Sequence, residues 1–267
     1  MDTSTLHTRI GLIADIHAND AALAAVLSAL YADDVREIVA LGDLVGYHIR
    51  ARETLALLRG AHVHSVAGNH DLMAVGGLPL EGGPKAVQAI RDTRATLTPE
   101  DAAFLQGLPA ELRPAPAVLC VHGALGNPTR RLNEYWEFAA EAARLRVLEP
   151  EVRICCFGHT HLRRVVSVLR DGGIVGYTGA QVQLPDNALT FINPGTVGYP
   201  RDGDKRAAYA ILDHRAGTVS FHRVHYDLAT TVAGPQQMRA GGRAWAWLNR
   251  ARQLATTAEA HPQRKHS

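Results

Sequence analysis

Cysteine is scarce: the chain of 267 residues has three, Cys120, Cys155 and Cys156. An odd number on apolar, strand-like runs argues against a disulfide framework and for a reducing compartment, so a cytoplasmic protein is expected. Core packing suits these thiols better than metal ligation, and neighbours such as Cys155 and Cys156 on a strand point to opposite faces. An excess of charge of one sign is also lacking. The net charge is +2 at pH 7, too small for bulk nucleic-acid binding or attraction to a membrane surface. Lysine is nearly absent, with arginine supplying 25 of the 28 basic residues; we read this bias as that of a GC-rich bacterial genome and not as a functional device. No apolar run reaches the ~18 residues of a membrane span. The opening "MDTSTLHTRIGLIADIH" has no basic leader before a long apolar stretch, so no signal peptide is expected. Internal repeats and low-complexity linkers are missing as well. What is there is ordinary, 46% hydrophobic and 20% charged residues, enough for a sizeable core in a single domain over 1–267.

In the first part of the chain short apolar strands alternate with amphipathic helices. "RIGLIAD" reads as a strand ending at Asp15, and "NDAALAAVLSALYADD" as a helix with Asn19 or Asp20 as N-cap. "EIVALGD" is a second strand, "RARETLALLRG" a helix stopped by Gly60, and "HVHSVAGNHD" contains a third strand. This βαβαβ order fits a sheet covered by helices. The pattern then breaks into a helical, lid-like insertion at about 76–115, read as two helices. The second should start with Thr98 as N-cap, Pro99 in the first helical position and Asp101 three residues after the cap. "AVLCVHG" is a fourth strand, "EYWEFAAEAARLRVL" a helix, and "VRICCFGHTH" a fifth strand with its loop. From about residue 163 strands follow one another: a hairpin in "RRVVSVLRDGGIVGYT", then "LTFINPG", "AAYAILD" and "TVSFHRVHY", with "HRAG" as a turn. This half should form an antiparallel or mixed sheet packed on the first. A helix with Trp245 and Trp247 is expected at about 235–255, before a polar end.

The chemistry gathers where the strands end. After the first come Asp15 and His17; after the second, Asp43; after the third, Asn69, His70 and Asp71; after the fourth, His122; after the fifth, His159 and His161. Any one of these could be a helix cap or a solvated turn residue. Five strands ending this way are hard to explain so, because the C-terminal strand edge is where α/β folds bind ligands. Gly42, Gly68, Gly123 and Gly158 beside them allow tight turns. Imidazole mixed with Asp and Asn oxygen suits Mn, Fe, Zn or Co; it is too rich in nitrogen for Ca or Mg. Even the seven of these residues other than His70 and Asp71 exceed one ion's ordinary coordination, so two ions sharing a carboxylate fit better. Such pairs, ~3.5–4 Å apart, clamp the attacking and leaving oxygens of phosphoryl transfer.

The ordered set "D-x-H", "G-D-x-x-G", "G-N-H-D", "H-G", "G-H-T-H" over residues 15–161 resembles the calcineurin-like metallophosphoesterases. "NPGTVG" at 193–198 is similar to a segment of that family's small bacterial and archaeal branch, so the resemblance covers about 9–226. It implies a four-layer α/β/β/α sandwich with two mixed sheets and a dinuclear metal site at the C-terminal strand edges. Asp15, His17, Asp43 and His161 would hold one ion, and Asp43, Asn69, His122 and His159 the other, with Asp43 bridging. His70 would touch the substrate phosphate as proton donor or electrostatic stabiliser, and Asp71 would orient it. The implied cofactors are two divalent transition metal ions, Mn first, with Fe, Zn, Co or Ni as alternatives. The implied activity is hydrolysis of a phosphoester or phosphoanhydride by a metal-bound hydroxide. A phosphodiester or nucleotide-like substrate is favoured, since helices at 84–108 and 133–148 could wall a compact pocket. No membrane partner is expected, and a homo-oligomer is left open. The alternatives are a non-catalytic metal-binding scaffold on the same fold and a single-metal hydrolase of another fold. The intact "GNHD" and full ligand set favour the enzyme.

Two departures from the family pattern matter. "GDLVGYHI" has His48 and Ile49 where relatives often have glycine and proline, so His48 either meets substrate or metal or is a solvated loop residue. "HGALGNPTRR" lacks the arginine that relatives often carry shortly after "HG", leaving Arg130 or Arg131 as alternative phosphate contacts.

Overall fold

The computed structural model describes residues 8–227. The helix expected at about 235–255, with Trp245 and Trp247, lies outside the described residues.

In β1 (Arg9–Ile13), Ile10 and Leu12 point to one face of the sheet and Ile13 to the other. α1 (Asp20–Ala32) is capped by Asn19, whose side-chain oxygen accepts from the Ala22 N–H at 3.1 Å. It buries Leu23, Val26, Leu27 and Leu30, a stripe at helical spacing. β2 (Glu37–Ala40) and α2 (Ala51–Gly60) follow, then a two-residue β3 (His64–Ser65). The "GNHD" stretch, expected as a loop, opens a short helix, α3 (Asn69–Ala74). The insertion carries α4 (Pro84–Thr96) and α5 (Pro99–Gln106), and α5 starts on the expected Thr98–Asp101 capping box. It then ends in a strand, β4 (Glu111–Ala115), which sequence periodicity did not mark. Next come β5 (Val118–Val121), α6 (Tyr135–Leu148) and β6 (Ile154–Cys156). β7 (Arg164–Leu169) and β8 (Ile174–Gly176) are the expected hairpin. β9 (Gln181–Gln183), β10 (Ala188–Asn193), β11 (Ala207–Asp213) and β12 (Thr218–Val224) complete the described chain.

The strands form two mixed six-stranded sheets, ordered β3-β2-β1-β11-β12-β9 and β4-β5-β6-β10-β7-β8. Three apolar clusters separate the four layers of the expected sandwich. Leu23, Leu27 and Leu30 of α1 pack on Ile13, Tyr209 and Ile211 of the first sheet. Ile10, Leu12, Val39 and Leu41 meet Cys120, Cys156 and Ile192 between the sheets. Phe138 and Leu145 of α6 cover Phe157 and Phe191 on the outer face of the second. Cys155 and Cys156 do point into different cores, and all three cysteines are buried and unpaired.

One expectation is corrected. The strands after residue 163 do not make a sheet of their own: β9, β11 and β12 complete the first sheet, while β7, β8 and β10 complete the second. The reason is edge pairing. β1 is parallel to β2 on one side and leaves an edge that β11 takes antiparallel, Ile10 facing Leu212. β6 is parallel to β5 and leaves an edge that β10 takes parallel, Phe191 facing Cys155. Local periodicity does not say which open edge a later strand will fill. The consequence is functional. Two parallel triplets, β1–β2–β3 and β5–β6–β10, end at one rim. Bonds across the sheets lock that rim: Val197 N–H donates to the Ala14 carbonyl at 2.9 Å, and His122 Nδ1 to the Leu41 carbonyl at 2.7 Å.

Candidate metal centre

At this rim Asp15, His17, Asp43 and His161 each bring a ligand-type atom within 4.8 Å of one another, and Asp43, His122 and His159 do the same. Asp43 thus belongs to both groups. Asn69 joins the second, its Oδ1 3.1 Å from His122 Nε2. Six of the seven residues selected from the sequence are buried, and Asn69 is half-buried.

The backbone is bent to bring them there. Asp15, His17, Asp43, His159 and His161 have φ of 53°, 51°, 53°, 67° and 63°. This left-handed conformation costs an L-residue roughly 1–2 kcal/mol, and it concentrates at functional sites. Backbone hydrogen bonds hold the turns: Asp15 N–H donates to the Gly42 carbonyl at 3.1 Å and His17 N–H to the Asp43 carbonyl at 2.9 Å. Two glycines make room. A Cβ at Gly42, itself at φ 82°, would stand 2.7 Å from His122 Nδ1, and one at Gly68 would overlap the Asp43 backbone nitrogen and carboxylate.

Hydrogen bonds set the imidazole tautomers. His17 Nδ1 lies 3.2 Å from the Val45 carbonyl and His161 Nδ1 2.7 Å from the Tyr199 carbonyl. A carbonyl only accepts, so both Nδ1 atoms carry the hydrogen. Burial keeps both rings neutral, holding His17 well below its usual range and His161 down to about 3. Their Nε2 atoms are then bare lone pairs, yet they face each other at 3.0 Å. Asp15 Oδ2 nearby is buried with no hydrogen-bond partner. Donor-poor geometry of this kind fits a cation.

The second group uses a proton for the same purpose. His122 gives its Nδ1–H to Leu41, and its Nε2 faces Asp43 Oδ1 at 3.3 Å and Asn69 Oδ1 at 3.1 Å, both acceptors. Burial opposes charge on His122, but the Asp43 and Asp15 carboxylates outweigh it and push the ring up to about 9. Burial, together with Asp43, pushes Asp15 up to about 8. Burial also works on Asp43, but His122, His70 and His17 overcome it and hold Asp43 well below the usual carboxylate range. His159 gives Nε2–H to the Thr129 carbonyl at 3.0 Å, which leaves Nδ1 for the cluster.

His70 and Asp71 differ in what they do. The His70 ring lies 4.7 Å from the His17 ring, its Nδ1 has no partner, and burial lowers its pKa. Asp71 does not hold that ring, contrary to expectation. Its Oδ1 accepts from Leu44 and Val45 N–H at 2.9 and 3.1 Å, and its Oδ2 from Gly68 N–H at 2.9 Å. Asp71 stands at the third position of α3, so it caps that helix and pins the loop after β2. Burial and Asp43 push it up to about 7 against three N–H donors that favour its charged form.

Of the open alternatives, His48 bonds the Gly198 carbonyl through Nε2 at 3.0 Å and ties two loops together. Arg130 and Arg131 are exposed; Arg131 lends its charge to His159. Sequence reasoning overlooked Tyr47 and Tyr199, whose rings stack 4.2 Å apart beside His17. Both close a "VGY" tripeptide, at 45–47 and 197–199, but a third copy at 175–177 lies in and after β8, so the tripeptide alone does not mark the site.

This chain belongs to the calcineurin-like phosphoesterase superfamily, whose domain model matches residues 8–217. It is 33% identical over 228 residues to an uncharacterised protein of Methanocaldococcus jannaschii, covering 82% of this chain and 88% of that one. The crystal structure of a metallophosphoesterase from Sphaerobacter thermophilus is 37% identical, with a TM-score of 0.66, over 88% of this chain and 93% of that one. A hypothetical protein from Pyrococcus horikoshii shares the fold at 18% identity and a TM-score of 0.67, over 84% of this chain and 90% of that one. Among the described residues no helix is long and apolar enough to cross a membrane.

Proposed function

We propose that this protein is a dinuclear metal-dependent phosphoesterase that hydrolyses a phosphodiester, a nucleotide-like phosphoester or a phosphoanhydride. The observation that carries the proposal is the pair of bare nitrogens, His17 Nε2 and His161 Nε2, facing each other at 3.0 Å beside a second donor group that shares Asp43. Asp15, His17, Asp43 and His161 would hold one ion, and Asp43, Asn69, His122 and His159 the other. Nitrogen and carboxylate donors without thiolate suit Mn²⁺, and Fe, Zn, Co or Ni fit the same set. When bound, two such ions supply charge neutralisation on the phosphoryl oxygens and acidify water.

The chain's own residues supply the rest. Asp43 keeps its charge and spans both ion positions. His70, neutral in its buried place, gains a proton as a phosphate anion arrives and gives it to the leaving oxygen. Asp71 keeps the loops after β2 and β3 at the spacing that puts His70 beside Asp43. Residues 8–227 work as one domain, with α4 forming a wall of the site. Three buried, unpaired cysteines suit a reducing cytoplasm.

After Mn²⁺ loading, elemental analysis should give two ions per chain. A phosphoester panel should turn over with Mn²⁺ and stop with a chelator. One tightly held ion at saturating Mn²⁺, or no hydrolysis of any phosphoester by a fully loaded protein, would overturn the proposal.

A further inference from the structure

Beside the candidate metal centre lies a group of side chains that the metal reading leaves idle. Tyr47 and Tyr199 stack with ring centres 4.2 Å apart and planes 9° apart. Tyr47 reaches the centre, its ring 4.6 Å from that of His17 and 5.0 Å from that of His70. Tyr199 is anchored there through its carbonyl, which accepts from His161 Nδ1 at 2.7 Å. Each hydroxyl meets a cation. Lys85 Nζ, from α4, donates to the Tyr199 hydroxyl at 3.0 Å, and Arg201 donates to the Tyr47 hydroxyl at 3.4 Å. The Arg201 guanidinium carbon is also 6.0 Å from the Tyr199 ring centre.

Neither cation forms an ion pair among the described residues. Some other arginines do, such as Arg50 with Asp20, Arg59 with Asp101, Arg206 with Asp204 and Arg223 with Asp202, while others, such as Arg130 and Arg131, do not; what sets Lys85 and Arg201 apart is their place on the tyrosine pair. A single unpaired lysine on a surface is commonplace. Two unpaired cations from separate segments, each held by a hydroxyl of one stacked pair abutting the centre, are a wall built for an anion. Arg201 acts from a different side of the site than Arg131, whose charge acts on His159. The Arg201 charge acts on Asp15, His70 and His161, on the side of the site where the tyrosines stand.

Charge arithmetic says what kind of anion. Two divalent ions set against the Asp15 and Asp43 carboxylates leave two positive charges, which a nucleophilic hydroxide and one singly charged phosphodiester group would cancel. Lys85 and Arg201 add two more, and these call for a second anionic group. Building on the phosphoesterase reading, we propose that Arg201 and Lys85, seated on the Tyr47–Tyr199 pair, bind a second phosphate joined to the scissile one. The protein then selects substrates with two linked phosphates over those with one.

The test is a binding measurement on the full-length protein with Mn²⁺ in excess. Methylenediphosphonate and methylphosphonate, neither of them hydrolysed, are titrated by calorimetry, and metal content is checked for each variant. Lys85→Ala and Arg201→Ala should each weaken methylenediphosphonate roughly ten- to hundredfold, the worth of a charge-assisted contact. Methylphosphonate should change less than about threefold in Lys85→Ala, and both variants should keep their metal. Arg215→Ala removes the same charge from the turn between β11 and β12, at the other end of the first sheet, and should leave both affinities unchanged. Unchanged methylenediphosphonate affinity in Lys85→Ala and Arg201→Ala would overturn the inference, as would an equal loss in Arg215→Ala. The readout is separate from turnover. A protein that shows the Lys85 and Arg201 effects yet hydrolyses no phosphoester would overturn the proposed activity and keep the diphosphate site.

Discussion

Loading metal into this site should expel protons, and the upward shifts of two buried groups say about how many. Two of the candidate metal ligands hold a proton near neutral pH in the metal-free protein. Burial and Asp43 push Asp15 up to about 8, and the neighbouring carboxylates, outweighing burial, push His122 up to about 9. At pH 7 such groups are roughly nine-tenths and roughly 99% protonated. Asp43 is already ionised, and His159 and His161, both lowered to about 3, are already neutral. Full loading at pH 7 should therefore release roughly two protons per chain. By linkage the slope of the logarithm of the overall loading constant against pH equals the number released. It should be roughly two below pH 7, roughly one between pH 8 and 9, and near zero above about pH 10. Between pH 6 and 8 the overall constant should rise roughly 10³- to 10⁴-fold. Calorimetric titration of Mn²⁺ in two buffers of different ionisation enthalpy counts the protons directly. Asp15→Asn should release about one fewer. Release of less than half a proton at pH 7, or an affinity flat from pH 6 to 8, would refute the reading that protons stand where the ions belong.

The same shifts set the pH response of the metal-free protein. Asp15 and His122 have folded-state values above their ordinary 3.8 and 6.5, so their contribution is full below those values and lost as pH rises through about 8 and 9. Its Tm should fall as pH rises from about 5 to 9, most steeply between about 6.5 and 8 where both groups contribute, and level off above about 9, while that of the Mn²⁺-loaded protein does not fall; parallel profiles would contradict this. Asp43→Ala should lose both metal and turnover. His70→Ala should keep two ions and lower kcat roughly 10²–10⁴-fold, less for a nitrophenyl diester than for a poor leaving group; loss of metal would end its assignment as proton donor. Asp71→Ala strands three backbone N–H donors and should destabilise the fold by about 3–5 kcal/mol in urea unfolding, with Asp71→Asn milder; a change under about 1 kcal/mol would show that the loops stand without it.

What the sequence disclosed and what it hid divide along one physical line. The strands that lead into the site announce themselves by local runs of apolar residues, and each candidate ligand by its place just after such a run, so all seven could be named singly; β4 and β9, with no such run, were not legible. α1 and α5 were legible from their caps at Asn19 and Thr98. α3 was not, because six residues are too few to show a helical period, and with it went the real work of Asp71. The assignment of β10 and β11 to different sheets was hidden because an open strand edge accepts a partner from anywhere in the chain.

The turns at 45–47 and 197–199 carry this point furthest. Nothing local marks 45–47 and 197–199 as neighbours. They meet because β2 pairs with β1 on one side, while the loop before β11 crosses the end of β1, where Gly198 N–H donates to the Asp15 carbonyl at 3.0 Å. Once there, each turn does two jobs. The Val45 and Tyr199 carbonyls fix the tautomers of His17 and His161, so that two bare nitrogens face each other. Tyr47 and Tyr199 of the same turns stack and carry Arg201 and Lys85. Two of the donors for metal, His17 and His161, and the wall for the second phosphate are therefore set by one pair of loops. A change that separates these loops would loosen metal affinity and diphosphate selectivity together, whereas loss of Lys85 alone touches only selectivity.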